Sequence, residues 1–346
     1  MSKNSGLLKA ANDRKDEFYT QLTDIEKEMV NYKDHFKNKI ILCNCDDPRV
    51  SNFFKYFALN FNLFGLKKLI SVCYKNQDFD LFTQNECEKA VYVEYTGSEH
   101  DHIPTDGELE IKELKGDGDF RSEECINLLK QADIVITNPP FSLFRDYVAQ
   151  LLEYDKKFII LGNQNAITYK EIFPLIMSNK IWFGQSIHSG DREFGVPDDY
   201  PLNAAGTRVD EKGNKFIRVK GVRWYTNLDY KDRHEEMILV ESFSEEKYPH
   251  YDNYDAIEVK ETKLIPKDYD GMMGVPITFL DRFSPEQFEI IGIAKRGAGD
   301  PALRSKVYTK EDYANYSDLN AGPVLNTNGK LHNTFPRILI KIKKEH

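Results

Sequence analysis

One stretch of sequence decides the fold class: Asp133-Ile134-Val135-Ile136-Thr137-Asn138-Pro139-Pro140-Phe141. It begins with a short apolar run, which is typical of a strand buried on both faces of a sheet. The two prolines end that strand, because each fixes φ and lacks the N–H that strand pairing needs. Ligands of doubly wound sheets bind beyond the carboxyl ends of such strands, so the residues after Thr137 are the first candidates for a site.

The segments around this strand alternate between strand-like and helix-like patterns. Further strand-like runs occupy 39–43, 68–74, 90–95, 109–114 and 157–162. Apolar residues recur at helical spacing in 24–36, 52–64 and 143–152. Thr23 and Glu26 form a candidate capping box at the start of the first helix. Strands separated by helices predict an α/β fold with a mostly parallel, doubly wound sheet.

The pattern changes after about residue 185. Strand-like runs at 222–226, 237–240, 288–293 and 338–343 are separated by segments rich in Gly, Asp and aromatic residues. The segment 296–333 shows little periodicity, which is typical of functional loops or of disorder. We therefore predict a catalytic domain in 1–185, with a mobile arm in 1–15, and a region in 186–346 that interleaves with the remaining strands of the catalytic sheet.

Composition sets several expectations. The net charge of −9 argues against a protein that coats nucleic acid without discrimination, although it permits a local basic cleft. No apolar run approaches the roughly 18 residues needed to cross a bilayer, and the N-terminus lacks the layout of a signal peptide. The five cysteines show no zinc-binding spacing. We expect a soluble, cytoplasmic protein that contacts no membrane and holds no metal.

The tetrapeptide Asn138-Pro139-Pro140-Phe141 suits the activation of an amine on a heteroaromatic ring. Such an amine is a poor nucleophile because its lone pair is delocalised into the ring. If the Asn138 side-chain oxygen and the Pro139 carbonyl each accept one N–H, the nitrogen is drawn toward tetrahedral geometry. Its lone pair then points at an incoming methyl group. Pro140 stiffens the backbone, and Phe141 would stack on the ring.

The tetrapeptide alone leaves alternatives open. Two prolines after a strand are most often a turn, whereas an Asn-Pro-Pro-aromatic sequence directly after a central strand favours the amine chemistry. Similar motifs serve adenine N6, cytosine N4, guanine N2 and the amide of a protein glutamine, so the motif does not identify the substrate. A base inside a duplex would have to be flipped out, or be single-stranded already.

The chain resembles the EcoRI-type adenine-specific DNA methyltransferases over nearly its whole length. In the first half the resemblance is carried by Asp16-Glu17-Phe18-Tyr19-Thr20-Gln21, Ile40-Ile41-Leu42-Cys43-Asn44-Cys45-Asp46-Asp47-Pro48 and Asn138-Pro139-Pro140-Phe141-Ser142. In the second half it is carried by Gly221-Val222-Arg223-Trp224-Tyr225-Thr226-Asn227-Leu228, Tyr251-Asp252-Asn253-Tyr254-Asp255-Ala256-Ile257, Gly271-Met272-Met273-Gly274-Val275-Pro276-Ile277-Thr278-Phe279-Leu280 and Arg337-Ile338-Leu339-Ile340-Lys341. The resemblance implies a Rossmann-like methyltransferase sheet with a C-terminal target-recognition region, and S-adenosylmethionine as the methyl donor.

The resemblance also implies which residues bind this cofactor. In methyltransferases of this class, a Phe-Tyr-Thr segment ahead of the first strand lies over the methionine part, and an Asp-Phe pair contacts the adenine. The corresponding candidates are Phe18, Tyr19, Thr20, Asp119 and Phe120, joined by Asn138. From the residues alone, an aromatic packed on the core and a plain acidic loop remain alternatives.

The turn after the first predicted strand departs from the usual pattern. The first strand of such methyltransferases normally ends in a Gly-rich turn, whereas this chain has Asn44-Cys45-Asp46-Asp47-Pro48, as is typical of the EcoRI-type group. Asp46 or Asp47 would meet the ammonium of the methionine part, the alternative being a common turn with solvated charges. No acidic residue ends the second strand for the ribose hydroxyls, and Tyr74 would stack on the adenine instead.

The residues after 185 are expected to recognise the target. Arginines able to reach phosphates or guanine edges are Arg192, Arg208, Arg218, Arg223, Arg233, Arg296 and Arg304. Trp224 and Tyr225 either line a flipped-base pocket or belong to the core, and we expect one of them to line the pocket. The irregular segment 296–333, which carries several lysines, would fold against DNA.

The sequence therefore predicts a monomeric, site-specific methyltransferase that acts on adenine N6 in double-stranded DNA. Whether a cognate restriction endonuclease acts on the same site, without direct contact, stays open. Two alternatives remain: an amine methyltransferase acting on RNA or on a protein glutamine, and a DNA-binding relative that has lost catalysis. The long region after residue 185 favours DNA, and the intact tetrapeptide argues against a loss of catalysis.

Overall fold

The computed structural model describes most of the chain. The described residues are 20–45, 47–49, 51–74, 90–99, 102–188, 191–196, 206–295, 303 and 305–344. Within them, no helix is both long and apolar enough to cross a membrane.

The chain divides into two compact units. The first comprises Met1–Ala166 and Phe183–Tyr230, and the second comprises Ile167–Trp182 and Lys231–His346. The segment 183–230 thus packs with the N-terminal half of the chain. The functional boundary near residue 185 stays a prediction.

The first unit contains two sheets. The strands of these sheets are β1 (Ile40–Asn44), β2 (Lys68–Cys73), β3 (Val91–Tyr95), β4 (Ile111–Glu113), β5 (Ile134–Thr137), β6 (Lys157–Asn163), β7 (Trp182–Phe183, at the chain boundary of the two units), β8 (Asp191–Val196), β9 (Thr207–Val209), β10 (Lys215–Lys220) and β11 (Val222–Thr226). The larger sheet has eight strands in the order β4-β3-β2-β1-β5-β6-β11-β7. The smaller sheet has the order β8-β10-β9.

The centre of the larger sheet is parallel and contains a reversal of strand order. β1 pairs in parallel with β2 on one side and with β5 on the other, and β5 pairs in parallel with β6. β3, β4 and β11 join antiparallel at the flanks. The predicted α/β fold is therefore confirmed, although the sheet is mixed rather than mostly parallel because antiparallel strands extend its parallel centre. Because the chain leaves β1 to one side and later returns to the other, the ends of β1 and β5 form the switch point where such sheets bind ligands.

The helices of the first unit lie at predicted positions, with local differences, except for the helix Glu123–Gln131, which was not predicted. They are α1 (Leu22–Met29), α2 (Lys33–Phe36), α3 (Asn52–Leu59), α4 (Phe61–Phe64), α5 (Glu123–Gln131) and α6 (Phe144–Glu153). The predicted capping box is wrong, because α1 begins at Leu22 and the N-cap residue Gln21 makes no side-chain cap. Ser51 does cap α3, accepting the Phe54 N–H at 3.3 Å. Inward aromatics of α3, such as Phe53 and Phe57, are completely buried in the core.

A buried carboxylate fixes α1 to the rest of the first unit. Glu28 accepts the Gln185 N–H at 2.9 Å and the Ser186 N–H at 2.7 Å, and the Tyr32 hydroxyl donates to it at 2.8 Å. A side chain at Gly184 would collide with this carboxylate. Burial raises the pKa of Glu28, although these hydrogen bonds act in the opposite direction. The first helix is therefore held by residues that lie far along the chain.

The second unit is built on a four-stranded sheet in the order β12-β13-β17-β14 and on a separate hairpin of β15 and β16. Its strands are β12 (Ala256–Glu258), β13 (Met272–Pro276), β14 (Phe288–Ala294), β15 (Val324–Thr327), β16 (Lys330–Asn333) and β17 (Arg337–Ile342), and its helices are α7 (Phe173–Met177) and α8 (Tyr316–Leu319). The strand predicted at 237–240 is not formed. The described part of 296–333 is more regular than its sequence indicates, since it contains α8 and the hairpin.

A buried ion pair lies across the four-stranded sheet. Arg337 on β17 donates to Glu258 on β12 at 2.6 Å, and both side chains are almost wholly shielded from solvent. The Tyr251 hydroxyl also donates to Glu258, and burial raises the pKa of Tyr251 well above its usual range. Glycine is needed at 274 because a Cβ there would lie 2.5 Å from the Tyr251 hydroxyl oxygen. Residues of three resemblance segments thus meet in one structural cluster.

Candidate active site

The carboxyl ends of β1 and β5 are joined directly. The Thr137 hydroxyl donates to the Asn44 carbonyl oxygen, and both residues are buried. Asn44 is the last residue of β1, and Asn138 follows the last residue of β5. The two asparagines therefore mark neighbouring strand ends at the switch point of the sheet.

The tetrapeptide after β5 combines burial with a stiff backbone. Asn138 is 8% exposed, Pro139 is buried, and Pro140 and Phe141 are half-buried. The Pro140 carbonyl accepts the Leu143 N–H at 3.0 Å, which starts a 3₁₀ turn that leads into α6. Phe141 packs against the core of the first unit. This arrangement holds the Asn138 amide and the Pro139 carbonyl at the sheet edge with little freedom to move.

Tyr147 on α6 links the end of β1 to Phe120, one of the adenine-contact candidates. Its hydroxyl donates to the Asn44 side-chain oxygen, and its ring packs edge-on against Phe120 with 5.1 Å between centroids. Complete burial raises the pKa of Tyr147 well above its usual range, so the hydroxyl stays a donor. Sequence reasoning missed this residue. Its helical spacing with Phe144 and Leu151 shows that it faces inward, but not that it meets Asn44.

The turn after β1 contains no glycine. Cys45 has φ 76°, in the left-handed region where residues other than glycine are strained. The Asp47 carboxylate is buried and held by Arg49 at 2.6 Å. Asp47 would therefore have to share its charge with Arg49 if it met an ammonium group. Asp46, the other candidate, lies outside the described residues.

Thr20 is placed beside this turn. Its carbonyl accepts the Asn52 side-chain N–H at 2.8 Å, and Asn52 is the first residue of α3. The Thr20 hydroxyl is buried and finds no hydrogen-bond partner among the described residues. Phe18 and Tyr19, the other members of the predicted segment, lie outside the described residues.

The glycine-containing loop before α5 packs against the end of β2. Gly118 has φ 79°, and a Cβ on it would lie 2.8 Å from the Cys73 carbonyl oxygen and 3.1 Å from the Tyr74 Cα. Tyr74 is half-buried. Phe120, which lies two residues after Gly118 in the loop, is buried. The Asp119 carboxylate is held by Arg121 at 2.7 Å. The structure thus brings Tyr74 close to the loop that carries Asp119 and Phe120.

The two aromatic candidates for a base pocket are both completely buried on β11. Trp224 packs edge-on against Phe53, while Tyr225 packs between Phe144 and Phe183 and donates its hydroxyl hydrogen to the Asn163 carbonyl at 2.9 Å. Their neighbour Arg223 is 1% exposed and donates to the His188 carbonyl at 2.6 Å. This burial favours the core alternative for the two aromatic residues. The pocket role stays a prediction.

The other candidate arginines differ in exposure. Arg192 is mostly buried on β8, 3.9 Å from Asp24. Arg208 on β9 and Arg218 on β10 are more than half exposed and form ion pairs with Glu193 at 2.5 Å and Asp191 at 2.7 Å.

In the second unit, Arg233 is buried against the Trp182 ring, 3.8 Å from its centroid. Arg296 and Arg304 lie outside the described residues. Arg208 and Arg218 are thus the exposed members of the predicted set among the described residues.

Comparison with known proteins tests the resemblance. A family model described as the adenine-specific methyltransferase EcoRI matches residues 6–343. The chain is 51% identical over 294 residues to the type II methyltransferase M.EcoRI of Escherichia coli. The aligned region covers 84% of this chain and 90% of that protein. It is 38% identical over 340 residues to the type II methyltransferase M.MgeORF184P of Mycoplasma genitalium, covering 96% and 97%.

A third relative extends the match. The type II methyltransferase M.MpnI of Mycoplasma pneumoniae is 36% identical over 342 residues, which covers 96% of this chain and 97% of that protein. No solved structure matches the chain significantly. The family match spans both compact units, including the strand ends that carry Asn44 and Asn138. The chain therefore belongs to the family of EcoRI-type adenine-specific methyltransferases.

Proposed function

We propose that the protein is a site-specific methyltransferase that transfers a methyl group to adenine N6 of a base flipped out of double-stranded DNA. One observation carries the proposal: Asn138 and Pro139 stand at the carboxyl end of β5, directly beside the end of β1. The names of three relatives, type II methyltransferases, support a DNA substrate.

The residues of the β5 end would act by orienting the amine. The Asn138 side-chain oxygen and the Pro139 carbonyl each accept one N–H of adenine N6, so the nitrogen lone pair turns out of the ring plane. Because proline has no N–H, the Pro139–Pro140 bond adds no donor that competes for these acceptors. Phe141 is half-buried against the core, and its ring would hold the plane of the base. The rate gain comes from alignment and fixed dipoles.

The other strand end suits the methyl donor, for which we propose S-adenosylmethionine. When bound, this cofactor supplies a methyl group on a positively charged sulfur. Two observations fit it: the buried Thr20 hydroxyl without a partner among the described residues, and the close approach of Gly118 to the end of β2 beside Tyr74. An unpaired buried hydroxyl costs about 1–3 kcal/mol, and a polar ligand group would recover that cost. Asn44, Asp47 and Asp119 would complete the polar lining.

We assign the chemistry to the first unit and propose that the second unit recognises the target sequence. The first unit contains the switch point, and its sheet is completed by β11 from beyond the predicted boundary. A monomer suffices because one methyl transfer needs one active site. A cytoplasmic location and the existence of a restriction endonuclease for the same site remain predictions.

Labelled S-adenosylmethionine and unmethylated genomic DNA test the proposed function. The expected result is that the label is recovered in N6-methyladenine. Sequencing of the methylated bases should then place them in a single sequence context. Label in another base, or in RNA or protein offered as competitor, would replace adenine in DNA with that substrate. Cofactor binding without transfer to any of them would indicate a relative that has lost catalysis.

A further inference from the structure

The backbones of β1 and β5 stop pairing before they reach the sheet edge. Their parallel ladder ends at Leu42 and Val135, two residues before either strand ends. Each strand stays paired with its other neighbour as far as its last residue, which is Asn44 in β1 and Thr137 in β5. The final residues of the two strands therefore border the opening of the sheet at the switch point.

The Thr137 side chain bridges this opening. Its hydroxyl donates to the Asn44 carbonyl oxygen, so a side chain joins the two strands where the ladder between them has ended. Thr137 is completely buried, and Asn44 is buried as well. A β-branched side chain has few rotamers, which holds the hydroxyl in one direction. The bond therefore acts as a fixed spacer between the two strand ends.

Asn44 is held from a second direction by α6. The hydroxyl of Tyr147, which is completely buried, donates to the Asn44 side-chain oxygen. Thr137 directly precedes the tetrapeptide, and Tyr147 lies on the helix that follows it. Two hydroxyl groups on either side of the tetrapeptide thus end on the same asparagine. The tetrapeptide and the end of β1 cannot shift apart without breaking a buried hydrogen bond.

We propose, on the basis of the proposed function, that Thr137 is a positioning residue whose hydroxyl sets the separation between the methyl donor at the β1 end and the amine at the β5 end. Because Thr137 is completely buried, it acts through Asn44 and Asn138 rather than by touching either ligand. In the transfer, the adenine N6 lone pair forms the N–C bond as the C–S bond breaks. The electron pair of that bond passes to sulfur, and N6 releases a proton to water.

Such a displacement requires that the attacking nitrogen, the methyl carbon and the sulfur lie in line and close together. A misplacement of about 1 Å can slow a reaction of this kind about 100-fold. The spacing of two strand ends in one sheet is therefore a quantity on which the rate depends, even where both ligands still bind. A residue that controls this spacing should affect the transfer step more than either binding step.

Thr137→Val keeps the shape of the side chain and removes its hydroxyl, whereas Thr137→Ser keeps the hydroxyl. The substrate is a duplex with the site that the wild-type enzyme methylates in genomic DNA. Single-turnover methylation of this duplex should slow about 10–100-fold in the valine variant. Its dissociation constants for S-adenosylmethionine and for the duplex should stay within about twofold of the wild type, because the Asn44 side chain keeps its bond to Tyr147. The serine variant should recover most of the rate.

Hydrogen–deuterium exchange of the ligand-free protein gives a second readout that does not depend on turnover. Loss of the bond between the strand ends should speed the exchange of backbone amides in 42–45 and 136–143 of Thr137→Val. Exchange in the rest of the first unit should stay near that of the wild type. Unchanged exchange at both strand ends would overturn the spacer role of the hydroxyl.

Thr226→Val is the matched control. Thr226 is likewise completely buried at the last position of its strand, and its hydroxyl donates to the Phe158 carbonyl at 2.8 Å. That bond joins β11 to the start of β6, at the opposite edge of the sheet. The Thr226 hydroxyl also accepts the Leu228 N–H at 2.9 Å, so its loss should destabilise the fold at least as much. The single-turnover rate of this variant should stay unchanged.

The outcomes separate this proposal from the proposed function. A wild-type single-turnover rate in Thr137→Val would overturn the positioning role alone. An equal loss of rate in Thr226→Val would also overturn it, because destabilisation would then explain both variants. The same holds if Thr137→Ser is as slow as Thr137→Val. A wild-type enzyme that methylates no adenine in DNA would overturn the proposed function and this proposal together.

Discussion

The carboxyl ends of β1 and β5 lie side by side in one sheet, yet their backbones are built in opposite ways. After β5, two prolines remove N–H donors, and Asn138 and Pro139 present oxygen atoms. After β1, Cys45 turns through the left-handed region and Arg49 holds the Asp47 carboxylate. The difference teaches how one edge could serve two ligands under the proposed function. The β5 end would accept the N–H groups of the base, while the β1 end would meet a zwitterionic cofactor.

Asn138→Ala removes the side-chain oxygen at the β5 end and has the largest expected effect. Loss of one of two acceptors should lower kcat about 10²–10³-fold, as is typical when one preorganised hydrogen-bonding group is removed. Calorimetric titration with S-adenosylmethionine should show near-normal affinity. Asn163→Ala is the control, because Asn163 ends the neighbouring strand β6 and should not affect turnover. An Asn138→Ala enzyme with most of its turnover intact would refute the orienting role.

Glu28→Ala separates stability from chemistry, because Glu28 belongs to neither strand end. The change leaves the buried Tyr32 hydroxyl and the part-buried N–H groups of Gln185 and Ser186 without their acceptor. We expect a loss of about 3 kcal/mol in the free energy of unfolding, since each unsatisfied donor costs about 1–3 kcal/mol. Denaturant titration measures it. Turnover of the folded fraction at low temperature should stay near that of the wild type, and a selective loss of turnover would contradict this reading.

Glu28→Gln adds a pH test to the same site. Burial raises the pKa of Glu28 above the 4.5 of an unperturbed carboxyl, so the folded state holds the proton more tightly than the unfolded chain does. The contribution of Glu28 to stability therefore falls as the pH rises from about 4.5 through the raised folded pKa. Over that pH range, the denaturation midpoint of the wild type should fall relative to that of Glu28→Gln. A difference between the two midpoints that does not depend on pH would show that the pKa of Glu28 is not raised.

Tyr147→Phe sharpens the comparison by cutting the bond from α6 to Asn44. The Asn44 oxygen then loses its buried donor, which should cost about 1–2 kcal/mol of stability and weaken cofactor binding. Tyr248→Phe is the control, because its buried hydroxyl donates to the Leu264 carbonyl at 2.8 Å in the second unit. It should lose comparable stability without a change in cofactor affinity. Equal affinity in both variants would remove Tyr147 from the cofactor site.

Substitutions at Cys45 should give the smallest effect. Because φ is 76° there, the free energy of unfolding should rank glycine above alanine and alanine above valine. Each step should be about 1 kcal/mol or less, since the freedom of glycine in the unfolded chain offsets part of its gain. Thermal denaturation measures the order. A valine variant as stable as the glycine variant would show that the turn relaxes out of the left-handed region.

The sequence predicted the centre of the first unit well because its strands are buried on both faces. The predicted runs at 133–137, 157–162 and 222–226 correspond to β5, β6 and β11 within about one residue. The small sheet of β8, β9 and β10 escaped prediction because charged residues interrupt its apolar residues, so that no continuous apolar run marks its strands. The run at 237–240 has the composition of a strand but pairs with no neighbouring strand among the described residues, and Ile238 is 91% exposed there.

The position of the candidate site was predictable, but its internal contacts were not. Asn138 follows a strand that the sequence shows clearly, so its place at the sheet edge follows from the fold class. The bonds of Asn44 to Thr137 and Tyr147 join residues far apart in the chain. The two carboxylates held by Arg49 and Arg121 depend on side-chain rotamers. Periodicity contains no information about either kind of contact.

The position of β11 between β6 and β7 has a consequence for synthesis of the chain. When residues up to 163 have been made, β6 is the open edge of an apolar sheet, and its partner, Val222–Thr226, has not yet been translated. Exposed strand edges of this kind pair readily with other chains. A nascent or truncated polypeptide ending before residue 222 should therefore depend on chaperones. In the finished chain β11 pairs with β6 and covers this edge.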